Sequence, residues 1–297
     1  MYNQIAANKR RTIILISVFV ILIMAIGYFF SQYFQAGSGF LVLAVVISIA
    51  MSLISYYSGD KIALWTAHAK PITKADNPYV YRLVENLCLT AGLPLPKIYL
   101  IADPAINAFA TGRDPQHASL ALTLGAVEKL QNEELEGVIA HELSHIKNYD
   151  IRLMMVVLVL VGIIALLSDW FIRGSLFSRG QRSDENKLNP IIALIGIILI
   201  ILSPIIAQLI KLAISRRREF LADADGVLLT RYPEGLAGAL TKIAQDNLPL
   251  QQANNATAHL YLANPFGGTK KLFSRLFATH PPIEERIKAL KNMGQAK

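Results

Sequence analysis

Residues 141–145 read His-Glu-Leu-Ser-His, two imidazoles four positions apart with a carboxylate beside the first. On a helix this spacing puts both histidines on one face, one turn above the other, so both rings can point at one ion. Glu142 sits at the edge of that face, where it can take a proton from water. HExxH on a helix is a zinc-ligand pair with a glutamate placed as general base. Zinc held by three protein ligands keeps a fourth position open for reacting groups. The neighbours Val138, Ile139, Ala140 and Leu143 are apolar, so the helix is a buried one, and histidines on a buried face need partners.

The third ligand must come from elsewhere. One pattern continues HExxH with a glycine and then a histidine, but Asn148 and Ile151 stand at those positions. Another places a glutamate some twenty residues on, where residues 161–166 are an apolar run. The remaining candidates are Asp150, Glu185, Glu219, Glu234, Glu284 and Glu285. Position favours Glu219. His145 lies eight residues before Leu153, where one apolar run starts, and Glu219 lies eight after Lys211, where the next ends. If both helices continue out of a hairpin, each offset is about 12 Å at 1.5 Å per residue, which brings the two side chains to one depth. Asp223 follows Glu219 by four, on the same helix face, well placed to hold the histidine nitrogen that does not bind metal. A solvated Glu219 paired with neighbouring arginines is the plainer alternative, and Phe220, Leu221 and Ala222 weigh against it.

These residues need elements to carry them. Four apolar runs stand out, at 12–30, 40–57, 153–168 and 190–210, and no charged residue occurs from Thr12 to Gly59. Each of the first two approaches the ~20 residues that cross a bilayer as a helix. They read as an uncleaved helical hairpin rather than a signal peptide, because a second span follows at once. The third run is short and ends near Asp169, and its loop holds Arg173, Arg179, Arg182 and Lys187, against the positive-inside rule. The second hairpin therefore either spans or is buried in protein or shallow in the membrane. In each case the crossings are even in number. Lys9, Arg10 and Arg11 place the N-terminus in the cytoplasm, and the polar segments follow it there. Between the runs, residues 79–91 have helical spacing ended by Gly92 and Pro94, 97–102 read as a strand, and 105–111 and 119–124 as two more around an Arg113-Asp114-Pro115 turn. Asn132 is placed to cap the HExxH helix, whose first turn holds Glu133 and Glu134.

The reading is an α+β, mainly helical integral membrane protein. It has about four transmembrane helices and a cytoplasmic zincin-type metalloprotease domain containing a small β-sheet. Its parts are a hairpin at 1–57, the first part of the protease domain at 58–152, a second hydrophobic hairpin at 153–211 and the second part of the domain at 212–297. Composition agrees: 53% of residues are hydrophobic and 17% charged, below the roughly 25% charge of soluble domains. The net charge of +8 comes from basic residues clustered beside the apolar runs, a topology signal rather than a nucleic-acid footprint. Cys88, the only cysteine, excludes an intramolecular disulfide and sits between leucines as a small buried hydrophobe, not as a nucleophile. No inverted repeat or midplane charge suggests a transporter.

His141-Glu142-Leu143-Ser144-His145, followed after a hydrophobic hairpin by Glu219-Phe220-Leu221-Ala222-Asp223, resembles the HtpX heat-shock membrane proteases, relatives of the CAAX prenyl proteases. The resemblance runs over nearly the whole chain. It includes the N-terminal hairpin, Asn107-Ala108-Phe109-Ala110-Thr111-Gly112, Glu134 to Val138 leading into HExxH, and Thr279-His280-Pro281-Pro282 with Arg286. It implies one Zn2+ per chain on His141, His145 and Glu219, Glu142 as base and Asp223 behind the ligands. It also implies His280 near the site as a catalytic donor, a residue that by itself reads as a surface histidine before a Pro-Pro turn. It implies further that Asn107, Ala108, Phe109 and Ala110 form an edge strand on which substrate backbone is laid, though Asn107 alone reads as a strand-end turn residue. The implied activity is a zinc metalloendopeptidase in the inner membrane of a bacterium. It would be multi-pass, with its site facing the cytoplasm, acting on membrane and unfolded proteins in quality control or stress response. Its partners are then protein substrates and the lipid bilayer. A zinc-binding scaffold and a prenyl protease are the competing readings. The stretch 251–268, rich in Asn, Ala and Gly, is expected to act as a lid over the cleft.

Overall fold

The computed structural model describes residues 2–33, 38–158, 216–246, 248–252, 257–267 and 281–295. Most of the second hydrophobic run pair, and His280, lie outside them.

Two long helices open the chain, α1 (Tyr2–Tyr33) and α2 (Gly39–Thr66), packed against each other. Among the described residues, Leu41–Thr66 is the one helix long and apolar enough to cross a membrane. It leaves Val42, Leu43, Val46, Ile47, Leu53 and Ile54 exposed, a surface that water does not favour. The helix does not stop where its apolar run ends. It continues through Asp60 and Lys61 to Thr66, where Ala63, Leu64 and Ala67 join a buried cluster with Phe109 and Tyr261. The hairpin is therefore anchored in the domain that follows it.

That domain is built on a four-stranded sheet in the order β1-β2-β4-β3, with β1 (Lys70–Pro71), β2 (Lys97–Ile101), β3 (Ala108–Gly112) and β4 (Ala118–Thr123). β2 and β4 run parallel, and β3 pairs antiparallel with β4, Phe109 opposite Ala121. β3 is thus an edge. The sheet packs on α3 (Pro78–Ala91) and α5 (Asn132–Lys147), with Val80, Val84, Ile98, Leu120, Ile139 and Leu143 in the shared core. α3 starts at Asn77, whose side chain accepts from Val80 N, and stops at Gly92 in the left-handed region. The short α4 (Leu124–Lys129) links β4 to α5. The residue that opens α5 is Gln131 rather than Asn132: its N–H donates to Glu134 Oε2 at 2.7 Å. The same Glu134 oxygen takes Lys242 Nζ at 2.6 Å.

After residue 158 the described chain resumes in α6 (Arg216–Thr230), α7 (Pro233–Asp246) and, near the C-terminus, α8 (Ile283–Gln295). α6 and α7 both lie on α5, and glycines permit the close crossings. A Cβ on Gly226 would stand 3.2 Å from His141 N, and one on Gly137 2.6 Å from Leu236 N. Gly226 shares its helix face with Glu219 and Asp223, so the helix carrying the carboxylates is brought against the turn of α5 that carries His141.

Candidate metal centre

α5 delivers His141, Glu142 and His145 side by side into the protein interior, each at most 4% exposed. α6 brings Glu219 and Asp223, both 1% exposed. One nitrogen of each histidine and one oxygen of Glu219 lie within 4.8 Å of one another. His141 Nε2 is 3.9 Å and His145 Nε2 3.7 Å from the Glu219 carboxylate.

The other ring nitrogens are each held by a carboxylate. His141 Nδ1 is 2.9 Å from Asp223 Oδ1, and His145 Nδ1 is 3.1 Å from Asp150 Oδ2. Each carboxylate can only accept, so both protons belong on Nδ1 and both Nε2 lone pairs face inward. Those two nitrogens stand 3.2 Å apart, a contact that is satisfied by a proton between them or by one ion that both rings face. Charge points to the ion. Glu142, Glu219, Asp150 and Asp223 are buried with Arg218 and Arg286, four carboxylates against two guanidiniums, an excess that one divalent cation offsets. The donor set, two imidazoles and a carboxylate oriented from behind by further carboxylates, fits a metal.

With the protein groups alone, burial pushes the Glu142 carboxyl up to about 7, although Ala110 N–H donates to it and His145 opposes the rise. Burial brings His141 down to about 4, the Asp223 hydrogen bond opposing. At His145 burial acts downward too, but Asp150, Glu219 and Glu142 outweigh it and hold the ring at about 9. Of two imidazoles in contact, the one with more carboxylate neighbours keeps the shared proton.

Sequence reasoning passed over three supports of this site. Arg286, 1% exposed, grips Asp223 with two bonds, Nε to Oδ2 at 2.9 Å and Nη2 to Oδ1 at 2.6 Å. Its Nη1 donates to Leu262 O at 3.2 Å. Asp150, a candidate ligand by composition, instead backs His145. Tyr149, at φ 59°, turns the chain sharply after α5 and folds Asp150 back. Asn8 of α1 donates to Asp150 Oδ1 at 2.7 Å. Arg286 carried a signal in its place in the quoted motif and Asp150 one as a candidate carboxylate, while Asn8 carried none.

At the sheet edge, Thr123 N donates to Asn107 O, so alternation turns residues 109 and 111 toward β4 and 108 and 110 outward. The segment 257–263 lies along this edge. Leu262 N donates to Ala108 O at 2.9 Å. The Asn107 side chain takes both backbone groups of Ala263, at 3.1 and 3.3 Å. Tyr261 packs edge-on to Phe109, centroids 5.1 Å apart. Cys88 is buried away from all of this, its thiol pushed up to about 12 by burial.

Peptidase family M48 matches residues 74–294 of this chain. Among curated relatives, the Protease HtpX homolog of Dictyoglomus thermophilum is 45% identical over 295 residues, 99% of this chain and 95% of that protein. That of Caldanaerobacter subterraneus subsp. tengcongensis is 46% identical over 297 residues, 99% and 98% of the two chains. That of Tropheryma whipplei is 42% identical over 294 residues, 99% of each. Among solved structures, the crystal structure of S. mikatae Ste24p matches with a TM-score of 0.53 at 19% identity, over 98% of this chain and 67% of that one. At that identity the likeness is one of fold.

Proposed function

We propose that this chain, which belongs to peptidase family M48 and is a metalloprotease of the HtpX kind, is a zinc endopeptidase held in a bacterial inner membrane. Its site faces the cytoplasm, and it cuts membrane and unfolded proteins in quality control. The observation that carries the catalytic part is the buried meeting of His141, His145 and Glu219 beside Glu142, with both outer histidine nitrogens already engaged. A structural zinc would normally be closed by a fourth protein ligand. Among the described residues the ligand group has three members, and the carboxylate beside it is free to serve as base.

His141, His145 and Glu219 would hold the ion. Zinc bound there would supply Lewis acidity toward water and the scissile carbonyl. Glu142 takes the proton of the attacking water and passes it to the leaving amine nitrogen. The Ala110 N–H bond to its carboxylate holds the base against the edge strand. Asp223 and Asp150 keep each Nδ1 protonated and each ring fixed. Within residues 107–110, the outward-facing backbone of Ala108 and Ala110 receives the substrate as an added strand, a mode that reads backbone more than side chain and suits broad specificity. The segment 257–263 occupies that edge, so substrate enters as Leu262 leaves Ala108. Membrane residence rests on the exposed apolar face of α2 and its continuation into the domain.

The test is cleavage of casein and of a membrane protein in detergent by the parent and by Glu142→Gln, with the zinc content of each. About one zinc in both and cleavage by the parent alone is the expected result. Zinc in both and cleavage by neither would favour a scaffold.

A further inference from the structure

We propose that Asn8, on the first helix of the membrane hairpin, is a positioning residue for metal ligand His145, acting through Asp150. The idea rests on the reading of His145 as a ligand. Asp150 is 2% exposed and spends one oxygen on His145 Nδ1, at 3.1 Å. Its other oxygen accepts from Asn8 Nδ2 at 2.7 Å, with Arg218 Nη1 further off at 3.5 Å. The second N–H of the same amide goes to Asn148 O at 2.9 Å, the carbonyl of the residue that ends α5. One side chain from α1 thus fixes both the carboxylate behind the ligand and the end of the helix that bears it.

The arrangement asks for an amide. Asn8 is 3% exposed, and burying a polar side chain on a helix next to an apolar run is costly unless its bonds are made. A single nitrogen with two hydrogens reaches two acceptors at once, and a leucine of similar volume reaches neither. Thr12, one turn along and equally buried, bonds among the described residues within its own helix, to Asn8 O at 2.9 Å, and serves as a control. Because a slip of one turn moves a helix by about 5.4 Å, the 2.7 Å bond ties the axial position of α1 to the orientation of His145. The hairpin then does more than hold the enzyme at the membrane: its seating sets how well the site binds its metal.

The test uses the full chain in detergent. Zinc affinity is read by competition with a chelator, and ligand geometry by the visible absorption of the cobalt-loaded protein. Asn8→Leu is expected to weaken zinc 10–100-fold, as loss of an orienting partner does, and to alter the cobalt band, while Thr12→Val changes neither. Asp150→Asn should weaken zinc by a similar factor, and adding Asn8→Leu to it should cost less than about threefold more, since the two act in series. The inference fails if Asn8→Leu binds zinc like the parent, or if the two losses multiply. Should Asn8→Leu not fold, Asn8→Ala enters the same cycle under the same criterion. A parent that binds neither zinc nor cobalt would instead overturn the metal-site reading itself.

Discussion

Arg286 carries two duties that a pair of substitutions can separate. Its guanidinium neutralises Asp223, and Asp223 orients His141. Removing one partner of a buried pair leaves an uncompensated charge and costs about 3–5 kcal/mol, whereas removing both is often near neutral. Arg286→Met is therefore expected to lower the melting temperature in detergent markedly, and adding Asp223→Asn to recover much of the loss. Zinc affinity should behave differently, staying 10–100-fold down in the double variant because the charged acceptor behind His141 is gone. A double variant less stable than Arg286→Met alone would remove this account. At this scale the sequence was legible wherever role follows from spacing. His141, Glu142 and His145 lie within one helical turn, and Asp223 lies one turn from Glu219. Asp150 was visible only as one carboxylate among six, because its role depends on the left-handed turn at Tyr149. Asn8 and Arg286 reach the site across 142 and 63 positions of chain to their carboxylates, and no local pattern encodes such a contact. His280, given a role by resemblance, lies outside the described residues.

The HExxH helix works because its neighbours come unusually close, and one such approach is at Gly137. A methyl there would stand 2.6 Å from Leu236 N and 2.9 Å from Leu236 Cα. Alanine gains up to about 1 kcal/mol of helix propensity over glycine. Overpacking against backbone costs about 1–3 kcal/mol or more, and backbone cannot rotate away. Gly137→Ala should therefore destabilise the protein, and a melting temperature equal to or above the parent's would show that α7 yields more easily than this. The edge strand offers a second measurement. If substrate enters on β3, a peptide-like hydroxamate in the cleft should displace Leu262, and the Leu262 amide should exchange hydrogen faster with inhibitor than without. Unchanged or greater protection would mean that 257–263 stays in place and substrate takes another path. The strands were the least legible elements. β3 and β4 are buried at every position, so the alternation that marks a half-exposed strand is missing, and their ends fall up to three residues from the expected ones. β1, a Lys-Pro pair, has no sequence signal. The end of α3 fared better, since Gly92 stops the helix through its own backbone, whereas the Asn77 cap carried no part of the reading.

The site is assembled from chain segments that the apolar runs separate, and this constrains the whole molecule. Asn8 bonds to Asp150, on the far side of the first hairpin from the N-terminus. His141 and His145 meet Glu219, with residues 153–211 between them. On the membrane reading proposed above, a site assembled across both excursions asks each of them to start and end on the side of the metal ligands. The proposed topology therefore calls for an even number of crossings in each excursion. With Lys9, Arg10 and Arg11 beside Asn8, the positive-inside rule supports the proposal that this side is the cytoplasm. Single cysteines at the exposed positions Ser38, Lys74 and Lys291 provide the test, since native Cys88 is buried and its raised thiol reacts slowly. A membrane-impermeant maleimide should label Ser38→Cys in cells whose inner membrane is intact, and Lys74→Cys and Lys291→Cys only after that membrane is opened. Labelling of Lys74 and Lys291 from opposite sides would contradict the assembled site. Labelling of both from outside would keep the site and reverse the orientation, placing the protease against the outer face of the membrane.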